Sequence, residues 1–145
     1  MEKTSLQDAK EMLQIFCRKY EIEGQFQEND TGGSLISPIW CQNIDRTCAL
    51  GFTLDSSDCS LTFSLTVGRA KDSNAHSYVR VINNDEPGGF TAAIPSTGFF
   101  MFCKKIRYDS PNENFFMLLY NLLQLGLELM NSELFRLCAA ITDPL

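Results

Sequence analysis

Two neighbouring segments constrain the fold of this chain more than any other feature. From Cys59 to Val67, Leu61, Phe63, Leu65 and Val67 alternate strictly with Ser60, Thr62, Ser64 and Thr66. From Thr47 to Leu54, Cys48, Leu50, Phe52 and Leu54 alternate in the same way with Thr47, Ala49, Gly51 and Thr53. Successive side chains of a strand point to opposite faces, so a period of two marks a half-buried strand. Asp55-Ser56-Ser57-Asp58 between the segments supplies a turn, and the pair reads as an antiparallel hairpin. One face of that sheet needs cover. The other is polar or small.

Helical spacing flanks these strands. Leu6, Ala9, Leu13, Phe16, Cys17 and Tyr20 form one stripe, with Thr4 and Gln7 placed to make a capping box. An extended piece, Ile22 to Gln27, leads through Asn29-Asp30-Thr31-Gly32-Gly33 to a strand over Ser34–Cys41, where Pro38 argues for an edge or a bulge. Ala75, Tyr78, Val79 and Ile82 follow the capping residues Asp72, Ser73 and Asn74, and Asn83 to Gly89 ends that helix. Strands over Phe90–Ile94 and Phe99–Tyr108 flank Pro95-Ser96-Thr97-Gly98. Ser110-Pro111-Asn112-Glu113 reads as the start of a long apolar helix that runs to Met130, with Asn131-Ser132 breaking it before Glu133–Ile141. The order α-βββ-α-ββ-α predicts an α+β fold: one antiparallel sheet with helices mainly on one face, in a single domain over 1–145.

Composition narrows the function classes. A net charge of −6 argues against nucleic acid, whose phosphates are held by Lys and Arg. Lys104, Lys105 and Arg107 read as a solvated sheet edge. The opening ten residues lack the apolar core of a secretory signal. The longest apolar run, Phe115–Leu129, contains Asn121, Gln124 and Glu128, which suit a core helix and not a membrane span. Six cysteines, at 17, 41, 48, 59, 103 and 138, form no CxxC pair, and His76 is the one histidine. Reduced thiols in the cytoplasm are therefore expected, with no metal site and no cofactor. Cys41 and Cys48 flank a hairpin and are the one pair placed for a bridge; reduced thiols remain the expectation there too.

Catalytic candidates are few. A small cysteine-dependent enzyme would pair His76 with a thiol, and nothing in the local sequence supplies the orienting partner. Glu21 with Glu23, and Asp55 with Asp58, read as solvated charges, and Gly32-Gly33 and Gly88-Gly89 as turn glycines outside any phosphate-loop pattern. The expectation is a non-enzymatic protein-binding module.

From Leu6 to about Leu137 the element order resembles the class I type III secretion chaperones and the related YbjN family. The stretch Val81-Ile82-Asn83-Asn84, through Gly89-Phe90 to Phe99–Ile106, carries most of the likeness. It matches a helix ending in Asn, a Gly-aromatic strand start and an apolar second strand. The resemblance implies a chaperone-like, often dimeric protein that holds an extended client segment on apolar patches. For a YbjN-like protein it implies a regulator with some other protein partner. The extended piece near Ile22 and the number of cysteines depart from the pattern.

Two strands, Ser34–Cys41 and Phe99–Tyr108, are apolar on both alternations, so one set of side chains in each needs cover from elsewhere. The expected exposed, partner-binding set is Phe100 and Phe102, with Ile36 and Trp40.

Overall fold

The computed structural model describes residues 3–145. Helix α1 (Leu6–Lys19) precedes a short strand β1 (Gln27–Asn29) and the long strands β2 (Gly32–Cys41), β3 (Arg46–Asp55) and β4 (Ser60–Ala70). Helix α2 (Asn74–Asp85) leads to β5 (Thr91–Ala93) and β6 (Phe99–Arg107). Helices α3 (Phe115–Met130) and α4 (Glu133–Ala140) follow, then a two-residue strand β7 (Thr142–Asp143). All strand pairs are antiparallel, in the order β1-β2-β3-β4-β6-β5, with β7 pairing to the far end of β4. The α+β fold with one antiparallel sheet is as expected; β7 was not foreseen.

Alternation in β3 and β4 divides the sheet as the sequence requires. Leu50, Phe52, Leu54, Leu61, Phe63 and Leu65 are fully buried on the inner face. Three helices cover that face. Phe16 of α1 meets Phe52 edge-on with ring centres 6.4 Å apart, and Phe135 of α4 lies 6.1 Å from Phe102. Helix α3 packs tightly at Gly126, where an added Cβ would stand 2.8 Å from two ring carbons of Phe63. Side chains elsewhere fit around that approach, because a packed interior leaves little room to shift. Helix α2 is tied to the edge strand β5 by Asn83, whose amide donates to the Ala92 carbonyl at 2.9 Å and accepts from the Ala92 N–H at 2.7 Å.

Short polar side chains cap the N-termini of α1, α3 and α4. Ser5 caps α1 by accepting from the Asp8 N–H at 3.1 Å, so the cap lies one residue beyond the Thr4 expected. Asn114 caps α3 at 3.2 Å. Ser110-Pro111 instead forms a separate turn, closed by Ser110 and Glu113 side chains, and the helix begins four residues later than the sequence signal suggested. At the other end of α3, the Asn43 amide of the β2–β3 turn donates to the Met130 and Ser132 carbonyls at 2.9 and 3.0 Å. The segment 22–26 is not a strand; only Gln27–Asn29 pairs, with Gly32–Ser34.

All six cysteines are free: Cys17, Cys41, Cys48 and Cys138 buried, Cys59 and Cys103 half-buried. Cys41 lies opposite Arg46 and Cys48 opposite Ile39, so the two thiols are diagonal neighbours on the inner face. Burial pushes the Cys17 thiol from 9.0 up to about 11 and Cys138 up to about 12; burial, then the neighbouring Cys41, does the same for Cys48.

Two outcomes follow from this packing. Gly126→Ala gains about 1 kcal/mol of helix propensity but overpacks against Phe63, which costs about 1–3 kcal/mol. Urea unfolding should show a net loss, larger for Gly126→Val. For the thiols, an unfolded chain ionises near pH 9 while the folded one holds its protons to about 11–12. Between those limits the folded state binds more protons, so stability is full below pH 9 and falls as pH rises through the window. Thiol titration should find at most Cys59 and Cys103 reacting readily in the native protein, and six groups after denaturation.

Candidate functional site

The face of the sheet opposite the helices is bare, and its register sorts side chains by size. Ile36, Gly51, Ser64 and Cys103 form one cross-strand row over β2, β3, β4 and β6. Pro38, Ala49, Thr66 and Met101 form the next. The central residues of both rows, on β3 and β4, are small: Gly51, Ser64, Ala49 and Thr66. Ile36 on β2 and Met101 on β6 are the large ones at the margins. The result is a trough whose floor is Ala49, Gly51, Ser64 and Thr66, with Ile36 on one wall and Phe99 and Met101 on the other. Pro95 and Thr97 from the β5–β6 turn close one end, where Leu145 also reaches in. Its volume is about 490 Å3. Gly51 keeps the floor low, since a Cβ there would stand 2.6 Å from the Ser64 hydroxyl.

The expected exposed set is split by the sheet. Ile36 and Trp40 are 66% and 59% exposed on the open face. Phe100 and Phe102 are not exposed at all: both are 0% accessible in the core, a correction of the expected register. Phe102 lies opposite Leu65, and residues paired across a ladder share a face, so it must join the core. Phe135 of helix α4 then packs on the Phe102 ring, and Phe100 packs on Phe102 in turn. Phe99, Met101 and Cys103 take the open face instead. Only Ile36 of the four lines the trough. Trp40, four residues further along β2, borders a separate hollow of about 390 Å3 with Pro38, Tyr20 and Leu127. Pro38 sits beyond the reach of β1, which pairs only with Gly32–Ser34, so its missing N–H falls on the free edge of β2.

None of the side chains that line the trough is charged. The Arg69 guanidinium lies 5.3 Å from the centre of the Phe99 ring. Lys105 pairs with Asp58, and the Arg107 guanidinium donates to Asp109 at 2.9 Å. Hydrogen bonding from Lys105, then from Ser60, holds the Asp58 carboxyl below its usual range.

A second apolar patch lies between α2 and α4. Tyr78, Val81 and Leu137 are exposed there beside Ile82, Leu134 and Ile141, around a groove of about 360 Å3. His76 sits on the exposed side of α2, and no hydrogen bond among the described residues joins its ring to a thiol. Burial raises the pKa of the Cys17, Cys48, Cys103 and Cys138 thiols, which makes these four poor nucleophiles. No helix among the described residues is long and apolar enough to cross a membrane.

No protein-family model matches the chain, and no curated protein matches it. Solved structures do. The ExsC-ExsE complex aligns at a TM-score of 0.57 and 12% identity, covering 90% of this chain and 95% of that one. The HopA1-SchA chaperone-effector complex aligns at 0.54 and 18%, covering 88% and 91%. The Yersinia pestis type III secretion chaperone SycH, in complex with a fragment of YscM2, aligns at 0.48 and 12%, too distant to bear on the fold. An antiparallel sheet in this strand order, with helices massed on one face, gives the chain a type III secretion chaperone-like fold.

Proposed function

We propose that the protein is a non-enzymatic, chaperone-like module that holds a segment of a protein partner in the trough on the open face. The observation that carries this is a floor of small side chains, Ala49, Gly51, Ser64 and Thr66, set between apolar side chains of β2 and β6, Ile36 on one side and Phe99 and Met101 on the other. A merely solvated face has no need of apolar walls. The wall strands β2 and β6 stand three strand spacings apart, about 14 Å. An α-helix with its side chains is about 10–12 Å across. An amphipathic helical segment, apolar side down, fits that width better than a single extended strand. The structural neighbours include a chaperone-effector complex, which supports a protein partner. Whether that partner is a secreted client, or the different protein a YbjN-like regulator would bind, is decided by identifying what co-purifies. Six free thiols support a reducing compartment, hence the cytoplasm.

We also infer that the α2–α4 patch joins two copies into a homodimer. Three exposed apolar side chains on adjacent helices form one continuous area apart from the trough, so self-association and partner binding do not compete.

Single charges separate these roles. Ile36→Asp and Met101→Asp should keep the circular dichroism of the parent protein and weaken partner capture. Each wall side chain is worth on the order of 1.5–3 kcal/mol when buried, or about ten-fold or more in affinity. Phe100→Asp should unfold the domain, because it places a carboxylate in the core. Partner capture unchanged in both wall variants would end the trough reading. Val81→Asp and Leu137→Asp should lower the mass seen by light scattering towards one chain and leave partner capture intact. A parent protein that is already monomeric would end the dimer reading.

A further inference from the structure

We propose that the segment Asp143–Leu145 is a built-in competitor for the trough, held in place by an anchor at Thr142; this rests on the trough being the partner site. The anchor is unusually complete for so short a strand. Thr142 is 1% exposed, and its hydroxyl donates to the Cys138 carbonyl at 2.9 Å while accepting from Arg46 Nη1 at 3.0 Å. Arg46 Nη2 donates to the Ala139 carbonyl at 3.0 Å, so one guanidinium clamps the end of α4 and the start of β7 together. Strand β7 then pairs with β4 at Ala70 and Arg69, beyond the point where β3 stops pairing. The crossing needs Gly68: a Cβ there would collide with the Asp143 carbonyl.

Past Asp143 the ladder cannot continue, because Pro144 has no N–H to donate. The chain leaves the sheet plane and sets Leu145 against the trough whose wall is Phe99 and Met101. Leu145 is still 47% exposed. A side chain only half seated is easily displaced, yet the anchor three residues away keeps its local concentration high. An incoming apolar side chain has to displace Leu145 at that end of the trough, so the tail sets a threshold that weak, non-specific apolar segments do not pass. The anchor itself need not move.

The test uses the dye 8-anilinonaphthalene-1-sulfonate as the apolar probe, titrated into the 145-residue chain, a chain ending at Asp143, and Leu145→Ser. Each is also made with Met101→Asp, and circular dichroism checks the fold of all six. Removing Leu145 either way should raise probe affinity roughly three- to ten-fold, and Met101→Asp should abolish the gain. Met101-dependent binding that is equal with and without Leu145 would overturn the competitor and leave the trough reading standing. Binding that ignores Met101 in every chain would remove the trough reading, and the competitor with it. Loss of the fold in both tail variants would make the tail a structural element and also overturn the proposal.

Discussion

The contact of Gly126 with the Phe63 ring decides how the rest of this molecule is arranged. Helix α3 is apolar around most of its circumference and needs cover on more than one side. Without a side chain at Gly126 it settles close onto β4, and α1 and α4 fill the space on either side through Phe16 and Phe135. Three helices thereby crowd one face of a seven-stranded sheet. Among the described residues, only the β5–β6 turn, through Pro95 and Thr97, and Leu145 reach onto the other face.

That imbalance explains the open face. The residues of β3 and β4 that point outward are Ala, Gly, Ser and Thr, which are comfortable in water and leave a low floor. Outward residues of β2 and β6 include Ile36, Trp40, Phe99 and Met101, which are not. Small residues at the centre and large ones at the margins make a concavity from a surface that twist alone would leave gently saddle-shaped. The chain's net charge is −6, yet none of the side chains that line the trough is charged, and the Arg69 guanidinium lies over the Phe99 ring.

The parts legible in the sequence are those where one physical pattern acts alone. The β3–β4 hairpin follows from strict alternation, and α2 ends where Asn83 to Gly89 says it must. Phe99–Tyr108 was illegible because both alternations are apolar. The choice is made by pairing with Leu65 and by Phe135 from α4, 33 residues further along the chain than Phe102. Ser110-Pro111 carried a helix-start pattern that a local turn used instead, and Asn114 took the cap. Arg46 and Thr142 gave no signal, since a clamp between residues 96 apart has no local signature. Asn83 lies between these cases: its place at a helix end carried part of the family likeness, and its double bond to Ala92 supplies the physical reason.

The central claim is that a partner sits on the open face and not among the helices. Methyl-resolved NMR of the complex with the co-purifying partner tests it most directly. Ile36, Met101, Ala49 and Leu145 report the trough; Val81, Leu137 and Ile141 report the α2–α4 patch; Leu13 and Leu119 report the covered core. The account predicts large shifts in the first group with the other two nearly unmoved. Shifts confined to Val81, Leu137 and Ile141, with Ile36 and Met101 unchanged, would contradict it.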